Sequence, residues 1–314
     1  MDAWGCEGAS DQLFGDTHVP AQSKRDAAPS EAPTPAIAGG PMSAPALTES
    51  ELRRIHTSAG WRRDRVEVFE TSLGRVIAKG HRPTRSPAPQ RVLAWLARLV
   101  RVPFLRAPIV HGGARSQEIE IRRLRALRAA GIPVPKVLHV ATDFFVMTWL
   151  GGDHLAEVLH RRHPHAFALW RDAAEALVGV HAAGQYLSQC FGRNIIVHAE
   201  PDPPVIAGLI DFEDDPLEIM SLPEAQVHDW LIYLQSTLWD LHAPREQVDA
   251  VLDRLMATER AEVRALFALA CKRLGWLRIL PESRIFGRDT IAVQAVAAAA
   301  HRWVGRHRQD AVAV

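Results

Sequence analysis

Between residues 194 and 213 the chain doubles back in a way that few architectures allow. Two short apolar runs of β type, Ile195-Ile196-Val197 and Val205 to Ile210, are joined by a Pro-rich turn. Asn194 precedes the first run, and Asp211-Phe212-Glu213 ends the second. Paired strands bring the two ends of such a hairpin to one edge, so a carboxamide and two carboxylates meet there. Hard oxygen donors grouped in this way suit Mg²⁺ held against phosphates. Asp214 and Asp215 lengthen the acidic run, which a cation would relieve. A solvated acidic turn is the plainer alternative.

The surrounding pattern has two parts. Val66-Glu67-Val68-Phe69-Glu70 alternates as a strand does, Ser72-Leu73-Gly74 turns, and Arg75-Val-Ile-Ala-Lys79 returns, which predicts a hairpin. Gln117 to Ala130 reads as a helix, with Ile121, Leu124, Leu127 and Arg128 at helical spacing. Gly131 stops it, and the "GIPVP" that follows forces extended chain. Val137–Val140 and Phe144–Trp149 are two further strands, and Gly151-Gly152 reads as a hinge. Beyond it the pattern is helical: 154–160, 166–182, and three more helices within 224–240, 246–272 and 288–304. A strand-rich first part (49–150) and a helical second part (151–314) describe an α+β, two-lobed molecule with a cleft, where ligand sites concentrate.

Residues 1–48 are rich in Ala, Pro, Ser, Gly and Asp without apolar periodicity, and predict a disordered tail. Structure is expected to begin near Thr48-Glu-Ser-Glu51, a helix-start pattern. The net charge of +1 gives no global case for nucleic acid. No run is long and apolar enough for a membrane span, and no secretory signal is visible, so a cytoplasmic setting is expected. Cys6, Cys190 and Cys271 are too few and scattered for a disulfide framework or a zinc site. Cys190 reads as a small buried residue in preference to a reactive thiol.

Two residues of the first part carry further chemistry. Only four lysines occur, and one of them, Lys79, ends an apolar strand. A compact ammonium there suits a phosphate clamp, and a lysine snorkelling from a strand edge is the ordinary alternative. Glu120, expected in the first turn of the 117–130 helix, suits pairing with Lys79. Glu118, half a turn away, is its rival, and spacing alone does not separate them.

Taken together these segments resemble the bacterial lipopolysaccharide (Kdo) kinase family, and more distantly choline, aminoglycoside and protein kinases. The resemblance runs from about 64 to 240. "VIAK" resembles the strand-lysine motif. "EIRRLRALRAAGIPVPKVL" is similar to the helix and exit that follow it, which favours Glu120 over Glu118. "VHAAGQY" resembles the helix end that leads into the catalytic loop, "RNIIV" supplies the loop asparagine, and "LIDFE" resembles the metal-binding motif. Asp229 in "HDW" resembles the structural aspartate of the next helix. The resemblance implies a bilobal protein-kinase-like fold, ATP and Mg²⁺ as cofactors, and phosphoryl transfer to a lipid-linked sugar or other small hydroxyl acceptor. It assigns Lys79, Glu120 and Asn194 to nucleotide binding, Asn194, Asp211 and Glu213 to metal, and Gln189 and Asp211 to catalysis.

The chain departs from that pattern twice. The catalytic loop of such kinases reads His-x-Asp-x-x-x-x-Asn, and here Leu187 and Gln189 stand at the His and Asp positions. An amide takes no proton near neutral pH but orients a hydroxyl or water, as a glutamine does in GTPases. A pseudokinase is therefore the competing reading. No glycine-rich phosphate-covering motif lies between Asp64 and Lys79. An insert at 83–112 adds the run 91–106, with Arg91, Arg98, Arg101 and Arg106 among Trp95, Leu96, Leu99, Phe104 and Leu105. It reads either as a peripheral contact with an anionic inner-membrane surface or as a helix packed on the first lobe.

Overall fold

The structure, a computed structural model, describes residues 46–81, 109, 111–200, 202–281 and 288–307. The tail up to residue 45 and the basic run at 91–106 lie outside the described residues. Leu47, at the end of the expected tail, is already buried. Thr48 caps helix α1 (Glu49–Thr57) through a reciprocal capping box with Glu51, the geometry its sequence pattern specifies. A single turn, α2 (Gly60–Asp64), follows and ends at Arg65 in the left-handed region, φ 70°.

The first lobe is an antiparallel sheet in the order β1-β2-β4-β3, with β1 (Val66–Thr71), β2 (Gly74–Gly80), β3 (Val137–Val140) and β4 (Phe144–Thr148). Side chains of a strand alternate between faces, and β4 shows what each face meets. Phe144 and Val146 pack with Val76, Ala78, Trp61 and Ile55 on the side of α1 and α2. Phe145 and Met147 join Ile121, Leu124 and Leu127 of helix α3 (Gly113–Ala129) on the other. Lys79 pairs in register with Phe145 and so stands on the α3 side. Helix α3 begins a turn before the expected Gln117, because Gly113-Ala-Arg-Ser carries no apolar stripe for periodicity to detect. Glu120 therefore lies two turns in, not in the first turn.

The second lobe surrounds a small sheet, β5-β6-β7, of β5 (Asp153–His154), β6 (Ile195–His198) and β7 (Val205–Leu209). The sequence showed only the β6–β7 hairpin and assigned His154 to a helix. Gly152 allows β5 to dock, since a Cβ there would meet the Val197 carbonyl oxygen at 2.4 Å. Gly208, at φ 155°, does the same for the extended "GIPVP", whose Pro133 carbonyl accepts from Leu209 N at 3.0 Å.

Among the described residues six α-helices complete the lobe: α4 (Leu155–His160), α5 (Ala166–Ala182), α6 (Leu222–Thr237), α7 (Arg245–Thr258), α8 (Ala261–Leu274) and α9 (Arg288–Arg306). Helix α6 is buried nearly all round, so it reads as apolar without a clear stripe. Its Trp230 and Tyr233 pack with Trp170 at the centre of the core. The single helix expected over 246–272 is two, broken at Glu259, whose carboxylate turns inward. Among the described residues no helix is long and apolar enough to cross a membrane. The molecule is a mixed α+β fold with a small antiparallel sheet region and a larger helical part, as the sequence predicts.

Candidate active site

Lys79 projects from the α3 face of β2 into the space between the lobes. Its Nζ lies 2.7 Å from Glu120 Oε1, 3.0 Å from Asp211 Oδ1 and 2.8 Å from Glu213 Oε1. Glu118 faces outward, with its side chain 68% exposed and Arg115 at 3.7 Å. The choice between the two glutamates, even by spacing, is thus made by the helix face: Ile121, Leu124 and Leu127 turn inward and carry Glu120 with them. Burial holds the Glu120 carboxyl above its ordinary range, and the neighbouring Lys79 offsets only part of that rise.

The hairpin β6–β7 delivers the acidic groups. Ile210 N donates to the Asn194 carbonyl at 2.9 Å, so the two hairpin ends are paired one residue short of Asp211. Asp211 itself has φ 71°, a left-handed backbone that turns the chain out of the strand. Carboxylate oxygens of Glu120, Asp211 and Glu213 lie within 4.8 Å of one another. Asn194, expected beside Asp211 and Glu213 as a third oxygen donor, uses its Nδ2 inside the loop, donating to the Gln189 carbonyl at 3.0 Å.

The rest of the acidic run is tied down residue by residue. Asp214 accepts from Gln189 Nε2 at 2.6 Å. Asp215 accepts from Tyr186 Oη at 2.7 Å and pairs with Arg122 of α3 at 2.5 Å. Glu213 pairs with Arg65 as well as Lys79. What looked in sequence like a repelling cluster is therefore spread over separate partners, four of them basic or amide side chains.

The loop before the hairpin is anchored from below. Asp229 of α6 accepts from Leu187 N at 2.6 Å, a contact of the structural kind that the family resemblance implied for it. His181, at the end of α5, stands 3.5 Å from the same Asp229 oxygen, and its Nδ1 is 2.7 Å from Glu259 Oε1. Trp230 Nε1 donates to that Glu259 oxygen at 2.8 Å. Burial alone would lower the His181 pKa, but hydrogen bonds with Asp229 and Glu259 outweigh it and raise it. Cys190 is buried and its thiol is pushed well up by burial, in line with the packing role read from sequence.

Sequence reasoning did not single out Arg65, His181 or Glu259, and it read Asp214 only as added charge in the acidic run, without its hydrogen bond to Gln189. For Arg65 a signal existed. The expected hairpin pairs Val66 with Lys79, so the residue before Val66 sits beside the lysine. For Glu259 there was none, because its partners are distant in sequence.

A family model for the phosphotransferase enzyme family (APH) matches residues 106–277, which is more than half of the chain. The match takes in Glu120, Gln189, Asn194, Asp211 and Glu213 and begins after Lys79. No curated protein matches the chain.

Proposed function

The chain belongs to the phosphotransferase enzyme family, and from that premise we propose that it binds Mg-ATP and passes a phosphoryl group to a hydroxyl of a lipid-linked sugar or another small acceptor. The observation that carries this reading is the position of Lys79, held between Glu120 of the first lobe and Asp211 of the second. A lysine fixed in this way is poised to meet phosphate oxygens. Next to it, Val66, Val68, Ile77 and Trp149 fall on the same face of the sheet by register, and Val66, Val68 and Trp149 are exposed. That apolar shelf beside the lysine suits a purine base.

The donor set fits Mg²⁺: three carboxylates whose oxygens approach within 4.8 Å are hard ligands of the kind this ion takes. Asp211 and Glu213 would hold it, with Asn194 completing the set if its amide turns from the Gln189 carbonyl. Bound there, the ion would neutralise charge developing on the phosphoryl oxygens. Lys79 would orient the same phosphates, and Glu120 would keep Lys79 in place. Gln189, with Nε2 committed to Asp214, presents its Oε1 to the acceptor hydroxyl and aligns it. The acceptor oxygen would bond to phosphorus as the bond to the ADP oxygen breaks, and the hydroxyl proton would leave late, to an oxygen of the transferred phosphoryl group and then to water, since a loose transfer asks little of a base early on.

A second reading is favoured by one observation, the amide at position 189. A pseudokinase would keep the nucleotide site and lack turnover. Incubating the full chain with Mg-ATP and lipopolysaccharide core or water as acceptor separates the two. The enzyme reading expects slow ATP turnover that Asp211→Asn abolishes. Turnover equal to that of Asp211→Asn, with Mg-ATP still bound, assigns the pseudokinase.

A further inference from the structure

Phosphates at Lys79 need cover, and the β1–β2 turn is out of reach. In the register of the hairpin Val66 pairs with Lys79, and the last pair before the turn is Thr71 with Gly74. Five steps of about 3.4 Å separate them, roughly 17 Å. The segment that does lie beside Lys79 is the junction of α2 and β1, where Gly80 N donates to the Arg65 carbonyl at 2.7 Å. This junction is rigid. Trp61 of α2 is buried against Phe144 at 4.7 Å between ring centroids, and its Nε1 donates to the Ile55 carbonyl at 2.7 Å. Glu67 of β1 accepts from Trp61 N at 2.9 Å and from Ser58 Oγ at 2.6 Å, pinning α2 to the strand.

From that fixed point the Arg65 guanidinium crosses the cleft to Glu213. It meets the same oxygen, Oε1, that Lys79 approaches at 2.8 Å. Two cations of the first lobe thus converge on one oxygen of a carboxylate whose side chain is 2% exposed. Such a convergence point is an anion site, and a phosphoryl oxygen offers the same charge and acceptor geometry as the carboxylate oxygen. We infer that Arg65 is the polyphosphate clamp of this site and that Glu213 holds its place as an internal anion until phosphate arrives. This rests on the phosphotransferase reading. When phosphate takes over Arg65 and Lys79, Glu213 is released towards Asp211, where a cation would be wanted, so clamp and metal site form together.

The test is titration calorimetry of the full chain with Mg-ATP, adenosine and metal-free inorganic tripolyphosphate. The variants are Arg65→Asn, Arg65→Lys and Glu213→Gln. Asparagine tolerates the left-handed backbone at 65, so the first variant removes the cation with little backbone strain. Arg65→Asn is expected to weaken tripolyphosphate and Mg-ATP by about 10- to 100-fold, the value of a charge-assisted hydrogen bond, and to leave adenosine unchanged. Arg65→Lys restores part of the loss. Glu213→Gln is expected to tighten metal-free tripolyphosphate, since the competing anion is gone. Unchanged phosphate binding in a folded Arg65→Asn protein overturns the clamp alone. Should that variant fail to fold, unchanged or weaker tripolyphosphate binding by Glu213→Gln overturns it instead. A wild type that binds tripolyphosphate through Arg65 but not Mg-ATP overturns the nucleotide reading and keeps the clamp. Binding of neither overturns both.

Discussion

The cleft cluster around Lys79 and the cluster around His181 both bury charge, but by different means. The first spans two lobes, with Lys79 and Arg65 from one facing Asp211 and Glu213 from the other. Asp211 and Arg65 keep 30% and 27% of their side chains exposed, so a ligand can reach them. The second lies inside one lobe, where His181, Asp229 and Glu259 have side chains no more than 1% exposed and take backbone and indole N–H donors. The difference separates two jobs. Pairs that cross a cleft can be exchanged for a ligand, whereas pairs sealed in a core fix geometry and are lost only with the fold.

The largest expected effect attacks the sealed cluster. His181→Ala leaves two buried carboxylates without their cation and should cost about 3–5 kcal/mol of stability. At about 2–4 °C per kcal/mol for a domain of this class, thermal melting reads it directly. A loss below about 1 kcal/mol would place the cluster with ordinary surface pairs. Next comes the exchangeable cluster. Saturating Mg-ATP, at a hundred times its Kd, should raise the stability of the wild type by about 2.7 kcal/mol. Asp211→Asn should remove that gain while leaving the unliganded melting point nearly in place. If Asp211→Asn instead unfolds the protein, the contrast between the clusters fails.

A smaller effect sharpens the role of Gln189. Asp214→Asn removes the charge from the hydrogen bond that holds the amide and should slow ATP turnover about 10- to 100-fold. Combining it with Gln189→Asp should restore turnover, because a carboxylate then stands in the loop itself. Failure of the double variant to recover would mean that the 189–214 contact does not position the acceptor. The smallest effect is a pH slope. The folded pKa of His181 is raised, so its contribution to stability is complete below the unfolded value of about 6.5 and is lost as pH rises through the folded value. Denaturant titrations of the wild type should show stability falling above pH 6.5, by at most about 1.4 kcal/mol per pH unit. His181→Gln should flatten that slope.

What the sequence disclosed follows the range of the forces involved. Strand alternation and the short turn at Ser72–Gly74 specify the β1–β2 hairpin and hence the position of Lys79, because both are local. The helical run through Leu124 and Leu127 specifies α3, but its start was misplaced where small residues carry no pattern. That error put Glu120 in a first turn when it lies two turns in. The break of the 246–272 helix at Glu259 answers to His181 and Trp230, seventy-eight and twenty-nine residues away, so no window of sequence could announce it. The acidic run 211–215 was visible as a charge cluster, while its division among Lys79, Arg65, Gln189, Tyr186 and Arg122 belongs to tertiary structure alone.

Asp229 grips the loop through the backbone N–H of Leu187, not through a side chain. Every amino acid except proline supplies that donor, so the hold is blind to what residue 187 is. The Leu187 side chain is held separately, buried in the core with 3% of its surface exposed, so anchor and packing are two independent constraints on this position. A substitution at 187 therefore keeps the anchor and is felt through packing alone: an apolar side chain of similar size should fold, whereas Leu187→Ala should cost about 2–5 kcal/mol of stability.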